Sequence, residues 1–248
     1  MSIFSTRNIV LFFIVSLICA ASVFYFFGSE SDSHKASGHS KETNYSSGTK
    51  GGDVSDEYEL VENDALKISP SEFILGDRDA VVTFIDYASM SCPHCASFYD
   101  EAFDDLKEEY IDTGKIRFVY RDFPLNQPSL TAAAISVCRA YEFDEDNRAQ
   151  GYHDFVKTMY NTQNSWIFKE DYSEKLVSIA VLEGMDKDLA NKCAKDTQIY
   201  DQILQARMIA AKELEIQSTP TFFINGKRVQ GFVGYKKIKE LIDYELNK

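Results

Sequence analysis

Positive charge is in short supply in this chain of 248 residues: 26 Lys and Arg face 39 Asp and Glu, for a formal net charge of -13 and an isoelectric point near 4.8. A surface that acidic repels phosphate backbones, and no basic stripe interleaved with aromatics runs through it, so nucleic acid is not an expected partner. Cysteine is scarce too, with five in all, and only one pair is spaced C-x-x-C. A closed zinc site takes four ligands, which one pair without a companion cluster does not supply. Attachment of a c-type haem needs a histidine directly after the second cysteine, and Ala96 stands there instead. His34 and His39 have no cysteine near them and read as solvated linker residues, and His153 is isolated. No metal and no bound cofactor are expected.

Charge is also missing from one long run near the start. Ile9 to Phe27, "IVLFFIVSLICAASVFYFF", is 19 residues without a charged side chain, with Arg7 the only charge before it. A core helix would show polar positions, and this run is apolar on every side. At 1.5 Å per residue it is about long enough to cross a bilayer core of roughly 30 Å. Residues 1–27 therefore read as a signal anchor or a signal peptide. The small residues near Ala21 offer a cleavage site, while the aromatic block after them favours an uncleaved anchor. Both readings send the rest of the chain out of the cytoplasm. Cys19 follows Leu17 and Ile18 rather than small residues, which argues against lipid attachment. Residues 28–57 are rich in Ser and Gly and nearly free of hydrophobes, a composition that cannot order itself. As a flexible linker they would reach roughly 30 Å, enough to hold a domain clear of a membrane.

Four cysteines remain beyond the linker: Cys92, Cys95, Cys138 and Cys193. An even number in an exported domain is what disulfides produce. Adjacency in the C-x-x-C turn favours Cys92–Cys95 together with Cys138–Cys193. Around them the chain reads as α/β. "AVVTFIDYASM" (80–90) is β-branched and aromatic, a buried central strand. After "CPHC", the residues Cys95, Phe98, Ala102, Phe103, Leu106 and Tyr110 recur at helical spacing up to Gly114. "KIRFVYRDFP" (115–124) is a second strand, which makes a βαβ unit within residues 58–126. Residues 127–212 show no convincing strand but a series of helical patterns, with Ser129, Ser173 and Asp186 at helix starts and Gly184 at an end. In residues 213–248, "TPTFFING" and "KRVQGFVG" form a hairpin turning at Asn225-Gly226. A closing helix follows, with Ile238, Leu241, Ile242 and Leu246 on one face.

The stretch "SMSCPHCASF" (89–98) carries the chemistry. A strand runs directly into a helix, so Cys92 falls at the N-cap and Pro93 at the first helical position, where its missing N–H does no harm. Unpaired N–H groups and the positive end of the helix dipole then face the Cys92 sulfur and favour thiolate over thiol. His94, as imidazolium, would add to that. Cys95 lies a turn further on, on the core face, and is expected to be the shielded partner of a more exposed Cys92. The alternative of a purely structural bridge suits this tight loop poorly. Asp86 precedes Cys92 by six positions on the buried strand; a desolvated carboxyl there has a raised pKa and can exchange a proton with Cys95, whereas at a strand edge it would be an ordinary solvated acid. Pro220 enters a late strand: trans is the ordinary state, and cis would set Thr219 beside the sulfurs.

Strand-"CPHC"-helix, a long helical block and "TPTFF" before the final hairpin resemble the DsbA family of thiol–disulfide oxidoreductases over about residues 65–247. The resemblance implies a thioredoxin-like fold interrupted by a helical insertion. It makes Cys92 the reactive cysteine and Cys95 the resolving one, with His94 tuning the disulfide to be strongly oxidising. Asp86 becomes the buried acid and Pro220 a cis proline. Many family members have Val at the position of Thr219, and Cys138 and Cys193 are not family-wide features. The function implied is a monomeric periplasmic oxidase, tethered to the inner membrane by residues 9–27 or released by cleavage near Ala21. It would donate the Cys92–Cys95 disulfide to reduced exported proteins and be reoxidised by a DsbB-type quinone-linked membrane oxidase. An isomerase or reductase using the same site is the nearest rival. A non-enzymatic, chaperone-like binding module with a structural disulfide is the other.

Overall fold

The computed structural model describes residues 57–248. The apolar run 9–27, Cys19, His34, His39 and the linker up to residue 56 lie outside the described residues. Among the described residues, no helix is long and apolar enough to cross a membrane.

Five strands make one sheet: β1 (Ile74–Gly76), β2 (Val82–Ala88), β3 (Ile116–Asp122), β4 (Thr221–Ile224) and β5 (Lys227–Gln230). Their order is β1-β3-β2-β4-β5, with only the β2–β3 pair parallel. The apolar, β-branched strand β2 is at the centre, buried along almost its whole length. Side chains alternate across a strand. Phe84, Asp86 and Ala88 therefore face one side, and Ile85 and Tyr87 face the other. On the first side Phe84 packs with Phe98, Phe118 and Phe222 at ring-centroid distances of 5.3–6.2 Å. On the second, Ile85, Tyr87 and Phe223 form a smaller core with Ala210, Leu214 and Ile216.

Register decides what meets the end of β2. Tyr87 pairs with Thr221 in the antiparallel β2–β4 ladder, so the residues just before Thr221 lie beside those just after Tyr87. That is how Thr219 and Pro220, late in the chain, arrive at "CPHC". The hairpin between β4 and β5 turns at Asn225 and Gly226, both with positive φ (47° and 82°), as its Asn-Gly sequence requires.

Between β3 and β4 the chain is helical. Helix α1 (Pro93–Glu101) and the short α2 (Phe103–Leu106) precede β3, and α3 (Gln127–Ala140), α4 (Arg148–Asn161), α5 (Tyr172–Leu182), α6 (Lys187–Cys193) and α7 (Thr197–Glu213) follow it. Helix α8 (Tyr235–Leu246) closes the chain, burying Ile238, Leu241 and Ile242. A disulfide joins Cys138 on α3 to Cys193 on α6, with Cα atoms 6.3 Å apart.

Four details differ from the sequence reading. The helix after "CPHC" is broken at Ala102 (φ -139°). Phe98 and Phe103, five positions apart, would diverge on a continuous helix; the break lets both stay in the core, with Phe103 5.3 Å from Phe118. Helix α3 starts at Asn126, whose side chain accepts from Ser129 N, while Ser129 completes the capping box from the third position. Asp171, not Ser173, precedes α5, whereas Asp186 does cap α6. Strand β1 was not expected at all: three residues are too few to show alternation. It pairs with β3, and Gly76 (φ 84°) is needed there because a Cβ would collide with the Ile116 carbonyl.

Candidate active site

The turn after β2 closes through Cys92 N–H donating to Ser89 O (2.9 Å). Cys92 has extended backbone angles (φ -84°, ψ 123°) and is the N-cap of α1, with Pro93 in the first turn. Its carbonyl accepts the first helical bond, from Ala96 N–H at 3.1 Å. Both cysteines of the motif are free thiols here. The Cys92 sulfur lies 3.2 Å from Thr219 O, the carbonyl of the Thr219–Pro220 peptide bond, which is cis.

The expected contrast in exposure is smaller than the sequence suggested. Cys95 is 1% exposed, and Cys92 is itself only 5% exposed. Thr219, in the segment leading into β4, lies against the sulfur, a consequence of β2–β4 pairing that local pattern does not reveal. Pro93 and His94 form the exposed rim.

The contrast that matters is electrostatic. Cys92 is held down to a pKa of about 5, chiefly by the hydrogen bond that the Cys95 thiol gives its sulfur. The Thr219 side chain and the backbone N–H groups of Cys95 and His94 act in the same direction, against the opposing effect of burial. Burial pushes Cys95 well above the ordinary thiol range, helped by the hydrogen bond to Cys92 and the nearby Asp86 carboxyl. One sulfur is thus a thiolate at neutral pH and the other a thiol.

Asp86 sits below the pair on the core face of β2. It is 0% exposed, and neither carboxyl oxygen has a hydrogen-bond partner in the protein. Burial, then the charge on Cys92, raise its pKa well above the carboxylate range. The ordinary solvated acid is therefore not what the fold provides. Linkage gives this a measurable sign. The folded chain keeps a proton that the unfolded chain releases near pH 4, so this group lowers stability as pH rises from there toward the folded-state value. Asp86→Asn is expected to make the oxidised protein more stable than wild type at pH 7–8 and equal to it near pH 4, as read by urea unfolding. Equal stabilities across that range would contradict the assignment.

His153 belongs to the core: its Nε2 lies 2.9 Å from Phe73 O, and burial lowers its pKa to about 4. A residue that no motif points to does reach the site. Gln163, at the end of the α4 segment, is 5% exposed and donates to carbonyls of the "SMSC" turn. Nothing in "MYNTQNSW" singles it out, since Asn161, Thr162, Asn164 and Ser165 around it are polar as well. An apolar cavity of about 410 Å³ between α7, β3 and residues 65–73 is lined by Tyr120, Asp122 and Ile209 among others, and by neither cysteine.

A dithiol at a helix start, beside a cis proline and above a buried acid, is the arrangement of thioredoxin-like redox proteins. A family profile described as Thioredoxin matches residues 69–244. The chain belongs to this thioredoxin family, in its DsbA-like group with a helical insertion. Wolbachia pipientis alpha-DsbA1 superimposes with a TM-score of 0.69 at 32% identity, over 75% of this chain and 96% of that one. Oxidised BdbD from Bacillus subtilis gives 0.62 at 25% identity, over 75% and 100% of the two chains. Among curated relatives, a Rickettsia bellii protein provisionally named as a protein-disulfide oxidoreductase is 30% identical over 67% of this chain. The match spans 62% of that relative's own length. Disulfide bond formation protein D of Bacillus subtilis is 25% identical over 74% of this chain and 82% of its own.

Proposed function

We propose that the protein is a thiol–disulfide oxidoreductase that donates its Cys92–Cys95 disulfide to exported proteins in the bacterial periplasm. The observation that carries this reading is the divergence of the two thiols, Cys92 near pKa 5 and Cys95 far above it, over an unpartnered Asp86. In the oxidised protein a substrate thiolate attacks Cys92 Sγ and the Cys92–Cys95 bond breaks. Cys95 leaves with the electron pair and takes the proton that buried Asp86 holds. A second substrate thiolate then attacks the substrate sulfur of the mixed disulfide. Cys92 departs as a thiolate, and the substrate leaves oxidised by two electrons. That departure is easy because a low-pKa thiol is a good leaving group. Thr219 and Pro220 wall the sulfur and present backbone to an incoming chain. The reduced enzyme returns to the disulfide by passing two electrons to a DsbB-type quinone-linked membrane protein.

In this reading residues 1–27 anchor or export the chain, and 28–57 are the linker. Residues 58–126 and 213–248 form the redox domain around the insertion 127–212. The protein acts as a monomer without a bound cofactor. Catalysed oxidation of a reduced two-cysteine peptide, with a reduction potential more oxidising than that of glutathione, is the test. A potential below the glutathione couple would turn the reading toward a reductase.

His94→Ser leaves the backbone N–H that helps hold Cys92 down and removes only the imidazole at the rim. Its removal is expected to raise the Cys92 midpoint and weaken the oxidant, by about 30 mV for each 1.4 kcal/mol lost from the reduced form. An unchanged potential would leave the tuning to backbone, Cys95 and Thr219 alone.

A further inference from the structure

Gln163 opens the single turn (Gln163–Ser165) that follows α4, so it belongs to the helical insertion and not to the strands and helix that carry the thiols. Its side chain is nevertheless buried against the start of α1. Nε2 donates to Met90 O at 2.8 Å and to Cys92 O at 3.1 Å. A primary amide has two N–H donors, and here each finds a carbonyl. The two carbonyls bracket Ser91 in the turn that leads from β2 into "CPHC". Met90 lies beyond the end of β2, out of reach of the sheet ladder. Cys92 O also accepts from Ala96 N–H. The amide therefore ties a carbonyl of the turn to the first carbonyl of the helix.

We propose that Gln163 is a positioning residue of the redox site: its amide clamps the Met90–Cys92 turn so that the Cys92 sulfur stays aimed at the N–H groups of His94 and Cys95 and at Thr219. The turn is then held from two sides. Thr219 holds the sulfur from the segment before β4, and Gln163 holds the backbone from the insertion. The insertion becomes part of what sets the affinity of Cys92 for its proton, besides covering the core. The groups whose geometry the clamp preserves are the ones that lower the Cys92 pKa, namely Cys95, Thr219 and the two backbone donors. Backbone rotation at Ser91 or Cys92 would swing the sulfur away from all of them together, since they are fixed to α1 and to the segment that enters β4. Asn225, also tied to backbone, instead braces the far hairpin against Thr83 and Val81.

The inference rests on the thiol–disulfide reading, and one set of measurements separates the two. The full-length protein, Gln163→Glu and Gln163→Met are reduced, and the thiolate absorbance near 240 nm is titrated with pH. Glu keeps the shape but turns acceptors toward two carbonyls; Met keeps the length and removes the donors. The groups facing Cys92 during this titration are Cys95, Asp86 and His94, all unchanged in the variants. In both variants the Cys92 midpoint is expected to rise by about one unit, with the equilibrium constant against glutathione shifting about tenfold toward the oxidised protein, which is about 30 mV. Leu176→Ala, in the core of α5 and away from the thiols, supplies a destabilised control whose midpoint stays at the wild-type value. A lower melting temperature in the Gln163 variants with the wild-type midpoint and equilibrium constant would make Gln163 a structural residue only and overturn the proposal. If Gln163→Glu does not fold, Gln163→Met decides alone, by the same two readouts. A wild-type protein with an ordinary thiol midpoint would remove the redox reading itself, whatever the variants do.

Discussion

Cys92→Ser is expected to reduce disulfide transfer to background, while Cys95→Ser captures substrates as mixed disulfides through Cys92. The size of the effect follows from ionisation. At pH 7 a thiol near pKa 5 is almost wholly thiolate, whereas an ordinary thiol near 8.5 is ionised to roughly 3%. Cys95, pushed the other way by burial, supplies still less thiolate than an ordinary thiol. Serine in place of Cys92 therefore leaves no nucleophile to replace it and no disulfide to donate. Serine in place of Cys95 leaves the reactive thiolate intact but removes the group that would expel a bound partner. Mass spectrometry of adducts with a cysteine-containing peptide reads the difference. Adducts forming through Cys95 in the Cys92→Ser protein would reverse the two roles.

The placement of Cys92 at a helix N-cap was legible before the fold because its causes are local. A strand ending at "SMS", cysteine at an N-cap and proline in the first helical turn are all contained in ten residues. The inward aim of Asp86 was legible too, because alternation along β2 puts it on the face of Phe84 and Ala88. What was not legible depends on distant partners. The covering of Cys92 by Thr219 comes from the β2–β4 register, and nothing in "STPTFF" alone chooses cis over trans at Pro220. The bond from Gln163 crosses 71 positions to Cys92 and leaves no periodic trace. Strand β1 is too short to carry a pattern, and the break at Ala102 shows only when Phe98 and Phe103 must both reach the same core.

Changing Cys138 and Cys193 together to Ser is expected to cost stability and spare the chemistry. The bridge ties α3 to α6 across a sequence separation of 55, with Cys193 buried at 2% exposure. For a closed loop of that length, the chain-entropy account of disulfides gives about 4 kcal/mol, an upper figure because residual structure in the unfolded chain subtracts from it. In a domain of this size each kcal/mol moves the melting temperature by about 2–4 °C, so a fall of about 10 °C is expected. Neither cysteine is among the groups that set the Cys92 pKa. The Cys92 midpoint and the rate of peptide oxidation should accordingly stay close to wild type at temperatures below the transition. A chain stapled outside its redox centre gains nothing from exchanging that staple, and its loss should register in unfolding alone. Two free thiols titrated in the denatured, unreduced wild-type protein, beyond any from Cys19 and the redox pair, would refute the bridge. An unchanged melting temperature in the double variant would show instead that it contributes no stability.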